Sequence, residues 1–238
     1  MGSIGSNLQE VKRRIARAVL ECGRDANMVT LLAVSKTFGA DAVREAHAAG
    51  QRDFGENYVQ EGLAKIAALA DLRPGIEWHL IGPVQSNKTK QVAEAFDWVH
   101  TVDRLKIAQR LAEQRPAWLP PLSLCLQVNI SGEASKGGVP PRDAAALAHA
   151  VAALAPARVK LRGLMAIPGP AAGFEAQRRP HRQLHELFAA LQGEGLALDT
   201  LSMGMSDDLE AAIAEGATIV RVGTAIFGRR PASQAAVG

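Results

Sequence analysis

The apolar run LLAVSKTFGA (31–40) carries a lysine where a buried strand would end. Lysine is among the residues least often fully buried, so Lys36 either reaches solvent there or sits in a pocket that uses its amine. An amine attacks a carbonyl only when neutral, and an unperturbed lysine, with a pKa of about 10.4, is mostly protonated at neutral pH. Desolvation lowers that value and favours imine formation. Two later stretches offer anion chemistry. SMGMSDD (202–208) sets Ser206 where a strand feeds a helix, so its hydroxyl and the backbone N–H groups of a helix N-terminus can face one anion. RVGTAIFG (221–228) places Gly223 and Thr224 at the end of the next apolar run, with Arg221 inside it. Taken singly, the first reads as a capping box and the second as a tight turn; paired on neighbouring strands they read as a phosphate cup.

Such residues converge only if a scaffold brings them together. Eight β-like runs recur: VTLLAVSK (29–36), RDFGEN (52–57), EWHLIG (77–82), WVHTVD (98–103), LSLCLQVNI (122–130), KLRGLMAIP (160–168), TLSMGM (200–205) and IVRVGTAIF (219–227), the second being the least strand-like. Between them lie segments with apolar residues at three- and four-residue spacing, such as DAVREAHAAG, DRLKIAQRLAEQ and HRQLHELFAALQ, which are amphipathic helices. Asp41 and Ser206 read as opening caps, Gly50 and Gly216 as closing glycines, with Asp207 and Asp208 complementing a helix dipole. Strict alternation predicts right-handed βαβ units and a parallel sheet. Eight repeats suggest one (β/α)8 TIM barrel over residues 1–230, opened by a helix, NLQEVKRRIARAVLECG, and followed by a flexible tail, 231–238. An open, doubly wound sheet fits the same alternation, although SKTFGA after the first run is not the GxGxxG turn such a fold favours.

In a barrel the chemistry lies at the carboxyl ends of the strands. Those ends are polar here: Lys36, Asn57, His79 with Gly82, Asp103, Asn129, Ser206 and Arg221. A lysine at the end of strand one and a phosphate cup at strands seven and eight are neighbours once the barrel closes. A phosphorylated aldehyde fits both, which makes Lys36 a candidate aldimine lysine and pyridoxal 5′-phosphate (PLP) its partner.

Composition limits the alternatives. The chain has 238 residues, 47% hydrophobic and 21% charged, with a net charge of +3 and no basic stripe interleaved with aromatics, so nucleic-acid binding is not prompted. Cys22 and Cys125 are far apart, and His47, His100, His149, His181 and His185 have no metal-ligand spacing with a third ligand, so no metal site is indicated. His181 and His185, four apart, read as a helix face, and Trp78, Trp98 and Trp118 as core or shell packing. No run of about 18 apolar residues could span a membrane, and no signal-peptide pattern opens the chain, so a cytoplasmic protein is expected. MGSIGS matches an acylation pattern but reads as a floppy leader.

The blocks AVSKT, RDFGENYVQE, WHLIGPVQSNK, GLMAIP, LSMGMSDDLEAAI and VRVGTAIFGRR, in that order, resemble the YggS/PROSC family of PLP-binding, PLP-homeostasis proteins over about residues 5 to 230. The resemblance implies an alanine racemase N-terminal-domain-like barrel that holds PLP as an aldimine and serves PLP (vitamin B6) and amino-acid homeostasis without established catalysis. It implies that Lys36 carries PLP, that Ser206, Gly223 and Thr224 hold its phosphate, that Arg221 faces the pyridine nitrogen, and that Asn57 and His79 line the site. Leu80 departs from the bulkier Phe or Met of the family, and nothing is carried over from residues 169 to 183. An arginine facing that nitrogen keeps it unprotonated and weakens the electron sink, the reverse of a transaminase carboxylate.

Three functions remain open at this point: a PLP carrier that supplies PLP-dependent apo-enzymes; an amino-acid racemase, for which Tyr58 or His79 would have to serve as second base; and a sugar-phosphate barrel with a Schiff-base lysine. Lys88, Lys90 and Lys136 are expected to be mostly solvated, with a secondary PLP site or release path as the alternative. Without the second domain of racemases, a monomer is expected.

Overall fold

The strands pair in chain order, all parallel, and the eighth returns to the first, closing the barrel. The computed structural model describes residues 2–133 and 136–228; the expected tail, 231–238, lies outside them. The strands are β1 (Thr30–Val34), β2 (Asp53–Glu56), β3 (Glu77–Leu80), β4 (Trp98–Val102), β5 (Leu122–Gln127), β6 (Val159–Met165), β7 (Thr200–Ser202) and β8 (Ile219–Val222). The helices are α1 (Ile4–Glu21), α2 (Ala40–Ala48), α3 (Val59–Ala68), α4 (Thr89–Ala95), α5 (Leu105–Gln114), α6 (Pro141–Ala152), α7 (Phe174–Gly193), α8 (Leu209–Ala214) and α9 (Thr224–Phe227). Pairing of Leu32 with Arg221 across β1 and β8 excludes the open sheet.

Alternation along each strand sorts the side chains. Leu31 and Ala33, Phe54, Trp78 and Leu80, Val99, Leu122 and Leu124, Val220 and Val222 join the buried faces of the helices in one continuous core. The intervening residues fill the barrel: Leu32, Val34, Ile81 and Ile219 make one apolar patch, and Trp98, Cys125 and Met165 another. Gly55, in the least strand-like run, is accommodated because a side chain there would press on Ile81 and Leu32 inside the barrel.

Several runs stop earlier than their apolar patterns. β8 ends at Val222, and residues 224–227 turn into α9. Asp41 and Ser206 are not caps: α2 begins at Ala40 behind Gly39, and α8 begins at Leu209 behind Asp208. The presumed leader is helical from Ile4, because Ser3 Oγ accepts from Ser6 N at 3.2 Å and caps α1. Trp118 is 83% exposed rather than packed, and His181 is buried rather than on a helix surface.

Candidate functional site

Lys36 sits in the turn directly after β1, half-buried. A hydrogen bond from Phe38 N to Ser35 O closes this turn at 3.1 Å. The next residue, Thr37, adopts φ 70°, a left-handed conformation strained for a β-branched side chain. The turn is held from below by a buried lysine and two glutamates. Lys65 Nζ donates to Ser35 O, Glu56 Oε1 and Glu61 Oε1, each at 2.7 Å. Ser35 Oγ donates to Glu56 Oε1 at 2.6 Å, and Thr37 N donates to Glu61 Oε1 at 2.5 Å. Burial pushes the Glu56 carboxyl above its ordinary value, although Lys65 and Ser35 pull it back. The Glu61/Lys65 spacing on α3 is an i, i+4 pair legible in the sequence; the part played by Glu56 is not.

The two segments expected to bind an anion lie at the ends of the next two strands, β8 and β7. Arg221 N donates to Gly204 O at 2.9 Å, tying β8 to the SMGMS loop, and Phe38 stacks on Phe227 with ring centroids 5.3 Å apart, joining the lysine turn to α9. A side chain at Gly223 would crowd Val34 O at 3.1 Å, so glycine lets the backbone approach β1 without displacing it. As the first residues of α9, Thr224 and Ala225 have N–H groups that no intrahelical acceptor can reach, which leaves them for an anion. On the other flank, a side chain at Gly82 would overlap Asn57 O; Asn57 is thereby held at the end of β2, where its Oδ1 is buried without a hydrogen-bond partner. Lys36, Asn57, Ser206, Gly223 and Thr224 therefore share one rim, on adjacent strands about 4.8 Å apart. An unsatisfied buried oxygen and free N–H groups flanking a lysine fit a small phosphorylated carbonyl compound.

The opening helix holds this cup from outside. Arg14 bonds Glu210 through Nε and Nη2 at 2.9 and 3.0 Å and Ser206 O at 3.1 Å, and Asn7 Nδ2 donates to Ile226 O at 2.9 Å. Asp208 closes the SMGMS loop: its Oδ1 accepts from Met205 N at 2.6 Å and its Oδ2 meets buried His181 Nε2 at 3.0 Å. Burial opposes ionisation of Asp208, but His181 and the Met205 N–H outweigh it and hold the carboxyl below its usual range. A depressed carboxylate contributes stability above its unfolded pKa, about 4, and loses it as pH falls through the folded value. Asp208→Ala is therefore expected to cost about 1–3 kcal/mol at pH 7, and thermal melts should show the gap to wild type narrowing below about pH 4.

Arg221 and His79 occupy the barrel interior. Arg221 donates from Nη1 to Ser202 Oγ at 2.8 Å and from Nη2 to Ala166 O at 2.9 Å. Burial lowers its pKa to about 10, so it stays protonated at pH 7. Ser202 Oγ also bonds His100 Nδ1 at 2.8 Å, and His100 Nε2 bonds His79 Nδ1 at 2.9 Å. Burial, then the nearby His79 and Arg221, hold His100 well below the ordinary histidine value and keep it neutral. His79 does not open onto the rim as its place in WHLIG suggests. Its ring stacks on Trp98, the first residue of β4, and its Nε2 points to Asp53 and Glu77 at the amino-terminal mouth.

The remaining polar strand ends are peripheral. Asp103 pairs with Arg104 at 3.1 Å, and Asn129 Nδ2 donates to Glu133 O and Lys136 O at 2.8 and 3.1 Å. Lys90 is solvated, as expected, but Lys88 and Lys136 are half-buried. Lys88 lines a cavity of about 450 Å³ with Asn57, Tyr58 and Gln85, and Lys136 lies 2.9 Å from Glu133. Tyr58 is 61% exposed. Among the described residues no helix is long and apolar enough to cross a membrane.

The family model for the alanine racemase N-terminal domain matches residues 6–231. A Pseudomonas aeruginosa protein, "Pyridoxal phosphate homeostasis protein", is 63% identical over 97% of each chain, and one of the same name from Escherichia coli K12 is 54% identical over 98% of this chain and all of that one. Among solved structures, PipY of Synechococcus elongatus with PLP bound superposes with a TM-score of 0.78 at 41% identity, covering 90% of this chain and all of that one. The alanine racemase of Corynebacterium glutamicum, at 16% identity and a TM-score of 0.67, shares the fold, with this chain spanning 62% of it.

Proposed function

The chain belongs to the alanine racemase N-terminal-domain family and, within it, to the pyridoxal phosphate homeostasis proteins, and from this we propose that it binds PLP as an aldimine on Lys36 and acts as a carrier and regulator in PLP and amino-acid homeostasis. The observation that carries this reading is the packing of the lysine turn after β1 against α9, the helix that follows β8, through Phe38 and Phe227. Bound PLP supplies an electrophilic carbonyl and an electron-withdrawing ring. The chain's own residues supply the rest. Lys65 and the two glutamates fix the turn that presents the Lys36 amine; the first N–H groups of α9, with Ser206, receive the phosphate; Asn57 orients the ring. Arg221, protonated at neutral pH and opposite the ring nitrogen in this reading, leaves that nitrogen without a proton and restrains carbanion chemistry.

That restraint favours a carrier over a racemase. A racemase needs acid/base groups on both faces of the bound amino acid. The chain's one tyrosine, Tyr58, lies largely in solvent, and His79 turns toward the opposite mouth. In this reading the protein is a cytoplasmic monomer, which light scattering on a gel-filtered sample checks, and PLP-dependent apo-enzymes are its acceptors. The functional test mixes PLP-loaded protein with a PLP-free acceptor enzyme. The acceptor should regain activity, and alanine of either hand should not be turned over. Lys136→Ala, beside the rim, should slow transfer while leaving the absorption spectrum unchanged; equal transfer rates would remove Lys136 from the path. Sustained alanine turnover lost in Lys36→Ala would replace the carrier with a racemase.

A further inference from the structure

Asp53, Glu77 and His79 meet at the amino-terminal mouth of the barrel, the end opposite the rim. Asp53 opens β2 and Glu77 opens β3, with His79 two residues further on and so on the same face of the strand. The His79 ring is 1% exposed and its Nδ1 is bonded to His100, yet its Nε2 is buried with no hydrogen-bond partner. A buried ring nitrogen left unpaired calls for a water, an ion or a strain to explain it. Nε2 stands 3.4 Å from Asp53 Oδ1 and 3.9 Å from Glu77 Oε2, and one ligand atom from each of the three residues lies within 4.8 Å of the other two. Two ligands bound at about 2.0–2.1 Å in tetrahedral geometry are separated by about 3.4 Å. The spacing therefore suits a shared ion better than a direct hydrogen bond.

We propose that Asp53, Glu77 and His79 bind a divalent first-row transition metal ion, of the zinc or cobalt(II) kind, with water completing its coordination. One imidazole nitrogen among carboxylate oxygens selects such ions over magnesium or calcium, which take oxygen alone. The two carboxylates balance the charge of the ion, and two guanidinium groups that line a cavity with Glu77 are already engaged, Arg162 with Asp199 at 2.8 Å and Arg73 with Asp97 at 2.7 Å. Access is open, since the side chains of Asp53 and Glu77 are 24% and 60% exposed. Outer contacts are in place as well. A metal-bound histidine ordinarily has its other ring nitrogen hydrogen-bonded, and His79 Nδ1 has His100; Trp98 Nε1 donates to Glu77 Oε2 at 3.1 Å. With the ion on Nε2, the His79 proton resides on Nδ1 and is donated to His100 Nε2. The His100 Nδ1–H then faces Ser202 Oγ, which also accepts from Arg221. Three hydrogen bonds thus connect this mouth to the arginine of the opposite site.

The test compares the full-length, PLP-loaded protein with an Asp53→Asn, Glu77→Gln variant, which keeps side-chain size and an acceptor for Trp98. Neither residue belongs to the PLP site, so the absorption spectrum serves as a control for folding. Equilibrium dialysis against Zn2+ should return one ion per wild-type chain, with affinity falling at least about 100-fold in the variant. Because the Trp98 ring stacks 5.3 Å from the His79 ring, Co2+ should quench tryptophan fluorescence in wild type and leave the variant unquenched. Equal zinc uptake by both proteins, or none by wild type, would overturn the site.

Discussion

Lys36→Ala is expected to yield a colourless protein from which PLP dialyses away, whereas wild type retains a visible band and, after borohydride reduction and digestion, a pyridoxyl mass on the Lys36 peptide. On the proposed reading, removing the amine removes the covalent link and leaves the phosphate contacts of α9 and the Ser206 loop. Retention should therefore fall by at least about 100-fold, equivalent to about 3 kcal/mol, without vanishing. The fold should tolerate the change, because Lys36 lies in a half-buried turn and not in the core. Lys88 and Lys136 make the result discriminating. A Lys36→Ala protein that remains yellow and carries the reduced mass on either of these would sink the assignment, while a wild-type protein that stays colourless with added PLP would return the sugar-phosphate reading to first place.

The positions of Lys36, Gly223 and Thr224 past the ends of β1 and β8 are legible in the sequence because each sits where an apolar run breaks, and strand alternation fixes at which end of a barrel such breaks occur. Ser206 was legible for its position but not for its role as a cap, since Asp208 two residues later has both a backbone N–H and a buried histidine to hold. His79 was misplaced for a related reason. Period-two alternation tells that a side chain enters the barrel; it does not tell toward which mouth the ring leans, which is set by stacking on Trp98 from the neighbouring strand. The chain from His79 through His100 and Ser202 to Arg221 spans four strands, and no local spacing announces it. For the same reason Asp53 and Glu77 escape a search for metal-ligand spacing: they are 24 residues apart and adjacent only through the β2/β3 register.

Lys65 illustrates the largest energetic consequence of such a nonlocal contact. Its side chain is 5% exposed, beside a Glu56 side chain that is 0% exposed. Removing one partner of a buried ion pair leaves an uncompensated charge and costs about 3–5 kcal/mol; Lys65→Met, which keeps the length of the chain, should destabilise the protein by that amount at pH 7. The pH dependence follows from Glu56. Its folded pKa is already raised by burial despite Lys65, and without the ammonium it rises further. A carboxyl with a raised folded pKa takes up a proton on folding, so the native state gains relative to the unfolded one as pH falls from the folded value toward the unfolded one. The deficit of Lys65→Met should thus shrink on acidification, as that of Asp208→Ala does, but by the opposite route: here the variant is relieved of a charged buried Glu56, whereas there wild type loses the contribution of a carboxyl with a depressed pKa. Adding Glu56→Gln should recover much of the loss, because a neutral amide needs no counter-ion. Chemical denaturation of the two single variants and the double variant at two pH values measures all of this. Even the double variant should hold the lysine turn less firmly, since Ser35 O and Glu61 lose the Lys65 ammonium that joins them. Slower recovery of the visible band on adding PLP to stripped protein would report that loosening, whereas wild-type rates in every variant would confine the cluster to stability.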